Sequence, residues 1–131
     1  MPTLTETQCL ATILDAVPGF QEQWDDHLAA HPGEPPDLAA DLAELAAYAH
    51  ALLARRQAGE LHAVLAVAER LLRDGNPAVQ EAVCGGFLES LAEPLAPDEP
   101  GLPLLLAALG PASRAYLQHW QRFSGRALPG L

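Results

Sequence analysis

Hydrophobic positions recur along this chain every third or fourth residue and almost nowhere every second. From Val79, the apolar or small positions Ala82, Val83, Gly86, Phe87, Ser90 and Leu91 fall at i+3, i+4, i+7, i+8, i+11 and i+12, which gathers them on one face of an α-helix. The residues just before mark its start: Gly75 suits a left-handed position past a preceding helix, Asn76 can cap, and Pro77 fits the first turn. Leu61, Val64, Leu65, Ala68, Leu71 and Leu72 repeat the same period over 60–74, with Arg70 and Arg73 in the last turn, where they complement the macrodipole. Leu38, Leu42, Leu45, Ala49, Leu52 and Leu53 define the longest predicted helix, 38–58, capped by Asp37 and closed by Gly59. The links between these three helices are short, which makes them antiparallel neighbours.

The flanking segments are shorter. A helix over 5–17 has Thr5 and Gln8 as a capping box, Leu10, Ile13, Leu14 and Val17 on one face, and Pro18-Gly19 as its stop. A second, over 20–31, places Phe20, Trp24 and Leu28 in line. Residues 32–36 hold three prolines and 93–103 hold four, so both are loops. A short helical turn is expected over 104–109, a reset at Gly110-Pro111, and a last helix over 112–123 with Tyr116, Leu117, Trp120 and Phe123 inward. The tail 124–131 is expected to fray. The pattern predicts a single all-α domain spanning 1–131, a compact bundle of five to six helices around the 59–91 hairpin. That hairpin, running into Asn76-Pro77-Ala78-Val79-Gln80-Glu81-Ala82-Val83, is HEAT-like; one such unit cannot make a solenoid, which needs about three. Gly85-Gly86 inside its second helix has two readings, close approach by a neighbouring helix or a local kink.

Composition sharpens this picture. Half of the 131 residues are hydrophobic but only 5% are aromatic, so Leu, Ala and Val must fill the core. Seventeen acids face seven bases for a net charge of −10; every base is Arg, which GC-rich codon usage explains. Such acidity disfavours a nucleic-acid backbone or an anionic membrane as partner and favours a basic protein. Cys9 and Cys84 have no CxxC context and read as free or buried thiols of a reducing compartment. The start, Met1-Pro2-Thr3-Leu4-Thr5-Glu6, lacks the basic residues and long apolar run of a secretory signal, so a cytoplasmic location is expected.

Candidate chemistry is sparse. His27 and His31, at i and i+4 with Asp26 beside them, have the spacing of a two-histidine metal site. A third ligand and the Glu of HExxH are missing, and the other reading is a pair of surface histidines at a helix end. His50, His62 and His119 fall on separate helices; Ser90, Ser113 and Ser124 lack a G-x-S-x-G context; Cys84 has no basic neighbour to activate it. No glycine-rich phosphate cradle is present. The expectation is a non-enzymatic protein with no cofactor and no metal. One stripe stands out as a partner-binding surface: Asp37, Asp41, Glu44 and Tyr48, at i, i+4, i+7 and i+11 beside the apolar stripe of the long helix, with Trp24-Asp25-Asp26 able to add to it. Its other reading is a solvated face on which Asp37 is only a cap.

The stretch 52–91, with Gly75, Val79, Val83 and the run Gly86-Phe87-Leu88-Glu89, resembles a small bacterial all-helical family of uncharacterised proteins, as does Leu109-Gly110-Pro111-Ala112-Ser113 at the start of the last helix. The resemblance implies structural motifs and no catalytic residues. Small acidic helical proteins of this sort are similar to toxin-neutralising immunity proteins, which implies a cytoplasmic binding protein that blocks a basic partner. The alternatives are a HEAT-like scaffold module and a metal-binding protein using His27 and His31.

Overall fold

In the computed structural model, which describes residues 3–131, the chain is all-α. Met1 and Pro2, where the stretch read as carrying no secretory signal begins, lie outside the described residues. The helices are α1 (Glu6–Ala16), α2 (Gln21–Ala30), α3 (Leu38–Ala54), α4 (Ala58–Asp74), α5 (Pro77–Ala82), α6 (Glu89–Ala92), α7 (Leu102–Ala108) and α8 (Pro111–Ser124). A π-helical segment, Val83–Leu88, joins α5 to α6 without a break, so the rods number seven. The count exceeds five to six because the expected turn at 104–109 lengthens into α7, started by Pro103 in its first turn. Among the described residues no helix is long and apolar enough to cross a membrane.

Helix α4 is the axis. Its stripe Leu61, Val64, Leu65, Ala68 and Leu71 is buried, and it packs against α1, α3, α5, α7 and α8. The 77–92 rod turns back on it after a two-residue link, as its pattern predicts: Asn76 Oδ1 accepts from Val79 N at 2.9 Å, Pro77 sits in the first turn, and Phe87 is fully buried. The other N-terminal signature also forms, with Thr5 N donating to Gln8 Oε1 at 2.9 Å.

Several local expectations change. Gly75 is extended (φ −75°, ψ 155°) and not left-handed. What requires glycine there is space, since a Cβ would lie 2.4 Å from Leu71 O and 2.5 Å from Val79 Cγ1. The same point receives the N-terminal strap: Leu4 N donates to Asp74 O at 2.9 Å and Asn76 N to Leu4 O at 2.8 Å. Helix α3 stops at Ala54 and Gly59 falls inside α4; the left-handed residue in the turn is Arg56, at φ 57°. Its guanidinium donates to Pro100 O at 3.2 Å, a tertiary contact that local sequence does not announce. Phe123 is 64% exposed, its ring edge-on to His119, and not inward as its spacing suggested. The tail docks where fraying was expected: Leu128 is buried, Leu128 N donates to Gln121 Oε1 at 3.2 Å, and Arg114 donates to Gly130 O at 3.2 Å.

Two features lock the bundle. At Gly86, a Cβ would stand 2.6 Å from Ala39 O, so α3 lies directly on the backbone of the π segment. Close approach therefore accounts for Gly86, whereas a Cβ on Gly85 would meet nothing within 4 Å. The second lock is Glu69 of α4, only 6% exposed. Its carboxylate accepts from Ala112 N at 2.9 Å, Ser113 N at 3.0 Å and Ser113 Oγ at 2.8 Å, capping α8 from another helix. Gly110, the residue at the capping position, has no side chain, and a Cβ there would lie 2.4 Å from Glu69 Cδ.

Gly85→Ala is expected to stabilise by about 0.5–1 kcal/mol through backbone entropy, while Gly86→Ala costs about 1–3 kcal/mol through overpacking. Denaturant titration of the two single variants checks the contrast. Burial pushes the Glu69 carboxyl up, but its backbone and hydroxyl hydrogen bonds, aided by Arg73, outweigh that and hold it below its ordinary value. Its stabilisation is thus present above the ordinary carboxylate value and lost as pH falls through the lowered one. Glu69→Ala is expected to cost roughly 2–4 kcal/mol at neutral pH. Thermal melts between neutral and acid pH should show the difference from the native chain shrinking as the pH falls.

Candidate functional site

The acidic stripe of α3 is not an open face. Helix α2 lies across it, and each member finds a partner within the fold. Asp37 caps α3, its Oδ1 accepting from Ala40 N at 3.2 Å. Asp41 Oδ1 accepts from His27 Nε2 at 3.3 Å, and Glu44 Oε2 stands 4.0 Å from His27 Nδ1. Gln23 Nε2 donates to Glu44 O at 3.1 Å and Glu44 Oε1 at 3.3 Å. Tyr48 turns the other way: its hydroxyl donates to Glu60 and its ring sits edge-on to Phe20, with centroids 5.4 Å apart. Gly19 makes room for that pair, since a Cβ there would lie 2.6 Å from Tyr48 Oη. The four residues are therefore split, three on the α2 side and Tyr48 against the α1–α2 corner.

What α2 and α3 build together is a cleft of about 870 Å³ where the 31–37 loop joins them. Asp37 and Asp41 belong to its wall, with Glu34 from the loop. The apolar part comes from Trp24, Leu28, Pro35, Pro36 and Leu38. Leu28 is 52% exposed, so α2 runs out of core along its own stripe: Phe20 is buried, Trp24 half-buried, Leu28 open. Trp24, His27 and His31 stand in a row, with ring centroids 5.4 Å and then 4.8 Å apart. Trp24 joins the acidic stripe, whereas Asp25 accepts from Gln21 Nε2 at 2.9 Å and Asp26 is not part of the cleft.

The electrostatics follow from this packing. Burial raises the Asp41 carboxyl above its ordinary value; hydrogen bonding and charge from His27 pull the other way, and Asp37 adds a further push upward. Burial also lifts the Cys9 thiol to about 11, with Asp41 adding to it, which disfavours its thiolate at neutral pH. Both cysteines are free thiols, and burial raises Cys84 as well. The two histidines named for metal binding each direct one ring nitrogen inward, His27 Nε2 to Asp41 and His31 Nδ1 to the His27 carbonyl at 3.0 Å. Among the described residues no group of three or more His, Cys, Asp or Glu is placed to hold a metal ion.

Glu34, Leu28 and the Pro35-Pro36 wall were not singled out from sequence. The signal was there in Leu28, the outermost position of a stripe on a ten-residue helix too short to cover it.

Because Asp41 titrates above its ordinary value, its contribution to stability is present at acid pH and lost as pH rises through the raised value. Asp41→Asn is thus expected to keep or raise the melting temperature at neutral pH. Differential scanning calorimetry of the single variant checks this; a clear fall would mean that the His27 pairing outweighs the burial cost.

A family model described as Domain of unknown function (DUF7674) matches residues 10–125. The chain belongs to that family, an uncharacterised one. No curated protein and no solved structure matches the chain.

Proposed function

We propose that the protein is a non-enzymatic, cytoplasmic binding protein that captures a basic partner protein, in the manner of an immunity-type neutraliser. The single observation that carries this reading is the α2–α3 cleft, where exposed apolar side chains and the half-buried Trp24 ring stand beside Glu34, Asp37 and Asp41. Charges of one sign at a cleft steer an oppositely charged protein towards it, and rings and aliphatic side chains then supply contact area. The net charge of −10 works in the same direction at longer range. The contact residues shift accordingly from the original stripe. Asp37 and Asp41 stay, Glu44 and Tyr48 serve the fold, and Trp24, Leu28 and Glu34 join.

A second reading is favoured by the α4 hairpin, whose tight Gly75-Asn76-Pro77 turn and closely packed helices have HEAT-like character. There the domain would be a scaffold module, docking through a helix pair and not through the cleft.

The test is affinity capture with the native chain, followed by measurement on the purified captured protein. The immunity-type reading expects a basic partner whose association rate falls steeply between low and physiological salt, where charges are screened over about 8 Å. It expects Glu34→Lys with Asp37→Asn, which keeps a capping side chain, to weaken binding at least about tenfold, and co-production to relieve any toxicity of the partner. A partner with no excess of basic residues, or one bound equally by the variant at both salts, overturns it.

A further inference from the structure

Resting on that reading, we infer that the cleft is a receptor for an arginine side chain of the partner, stacked on a ring of the Trp24–His27–His31 row and forked onto the acidic wall. Three features of the site select this occupant. The wall carries carboxylates from two elements, Glu34 on the loop and Asp37 and Asp41 one turn apart on α3. Asp37 and Asp41 each use Oδ1 for their internal contact, so each carries a second oxygen as acceptor. The lining also holds a row of rings beside its aliphatic members, with successive centroids 5.4 Å and 4.8 Å apart and tilts of 32° and 47°.

A planar cation that donates in its own plane and stacks through its face satisfies both surfaces at once; an ammonium satisfies only the first. The chain's own cations do not fill this role. The side chains that line the cleft include no Arg. Arg55, Arg56, Arg70, Arg73, Arg114, Arg122 and Arg126 all lie outside α2, the loop and the first half of α3. The apolar rim adds a requirement on the neighbours of that arginine. Leu28, 52% exposed, and Pro35-Pro36 border the same opening, so an aliphatic residue next to the arginine covers surface that is otherwise wet.

His27 sets a limit on the arrangement. It is the group already against Asp41, and Glu44 is its second acidic neighbour. Arginine binding therefore competes with, or slides beside, the imidazole.

Isothermal titration of the full chain with blocked hexapeptides that differ only at two central positions, Arg-Leu, Lys-Leu or citrulline-Leu, tests the inference, with free arginine as a further probe. The Arg peptide is expected to bind at least about fivefold more tightly than the Lys peptide, the size of a cation–π and fork advantage at a partly exposed site. The citrulline peptide and free arginine should bind far more weakly. Trp24→Ala should remove the preference for Arg over Lys. Should that variant melt early, Asp41→Asn, expected to keep or raise the melting temperature, should lower Arg-peptide affinity about tenfold. Equal affinity of the Arg and Lys peptides, or no effect of Asp41→Asn, overturns the arginine assignment and leaves the basic-partner reading in place. If neither cationic peptide binds and the captured partner is not basic, both fall together.

Discussion

The contact on which the rest of this molecule depends is the approach of α3 to the π segment at Gly86. With aromatics at 5% of the chain, few large rings are available to bridge widely spaced helices. The bundle also brings backbones together, as at Ala39 against Gly86. Ala39 lies in the first turn of α3, between Asp37 and Asp41. The packing that closes the core therefore also anchors the end of the helix that carries the cleft's acids. A floor fixed to this degree allows the other wall, α2 and its loop, to be short and partly exposed without losing the position of the carboxylates.

The same helix, 77–92, shows how far local pattern reads through to structure. Its apolar period, its Asn76 cap and Pro77 are all expressed as their chemistry requires. The π segment is not visible in that pattern; its wider turn rotates the face by about one position, so Leu88 and Ala92 are buried with Leu91 while Ser90 is only half-buried. One helix stop is misread and the other is right for a different reason: α3 ends before Gly59, with the left-handed turn on Arg56, whereas α4 does end at Gly75 but the need there is steric. A glycine in a sequence signals either conformational freedom or lack of volume, and only neighbours distant in sequence decide between them.

For the site, the residue types on α3 were legible and their partners were not. Nothing local ties His27 to Asp41, Gln23 to Glu44 or Tyr48 to Glu60; these pairs follow from α2 and α4 crossing α3. A stripe of acids that periodicity draws as one surface is divided by those crossings into an inner set serving the fold and an outer set lining the cleft. Belonging to the uncharacterised DUF7674 family leaves the choice of partner to chemistry of this kind.

The carboxylate of Glu69 has a consequence for the order in which the fold assembles. Helix α8 has Pro111 in its first turn but a glycine at the capping position, so the side chain that caps it comes from α4. As the chain is synthesised, α4 emerges about forty residues before Ala112 and Ser113. Until those residues emerge, Glu69 lacks the three donors that hold it in the folded domain, and the clamp joins α4 to the last helix across sequence separations of 43 and 44 residues.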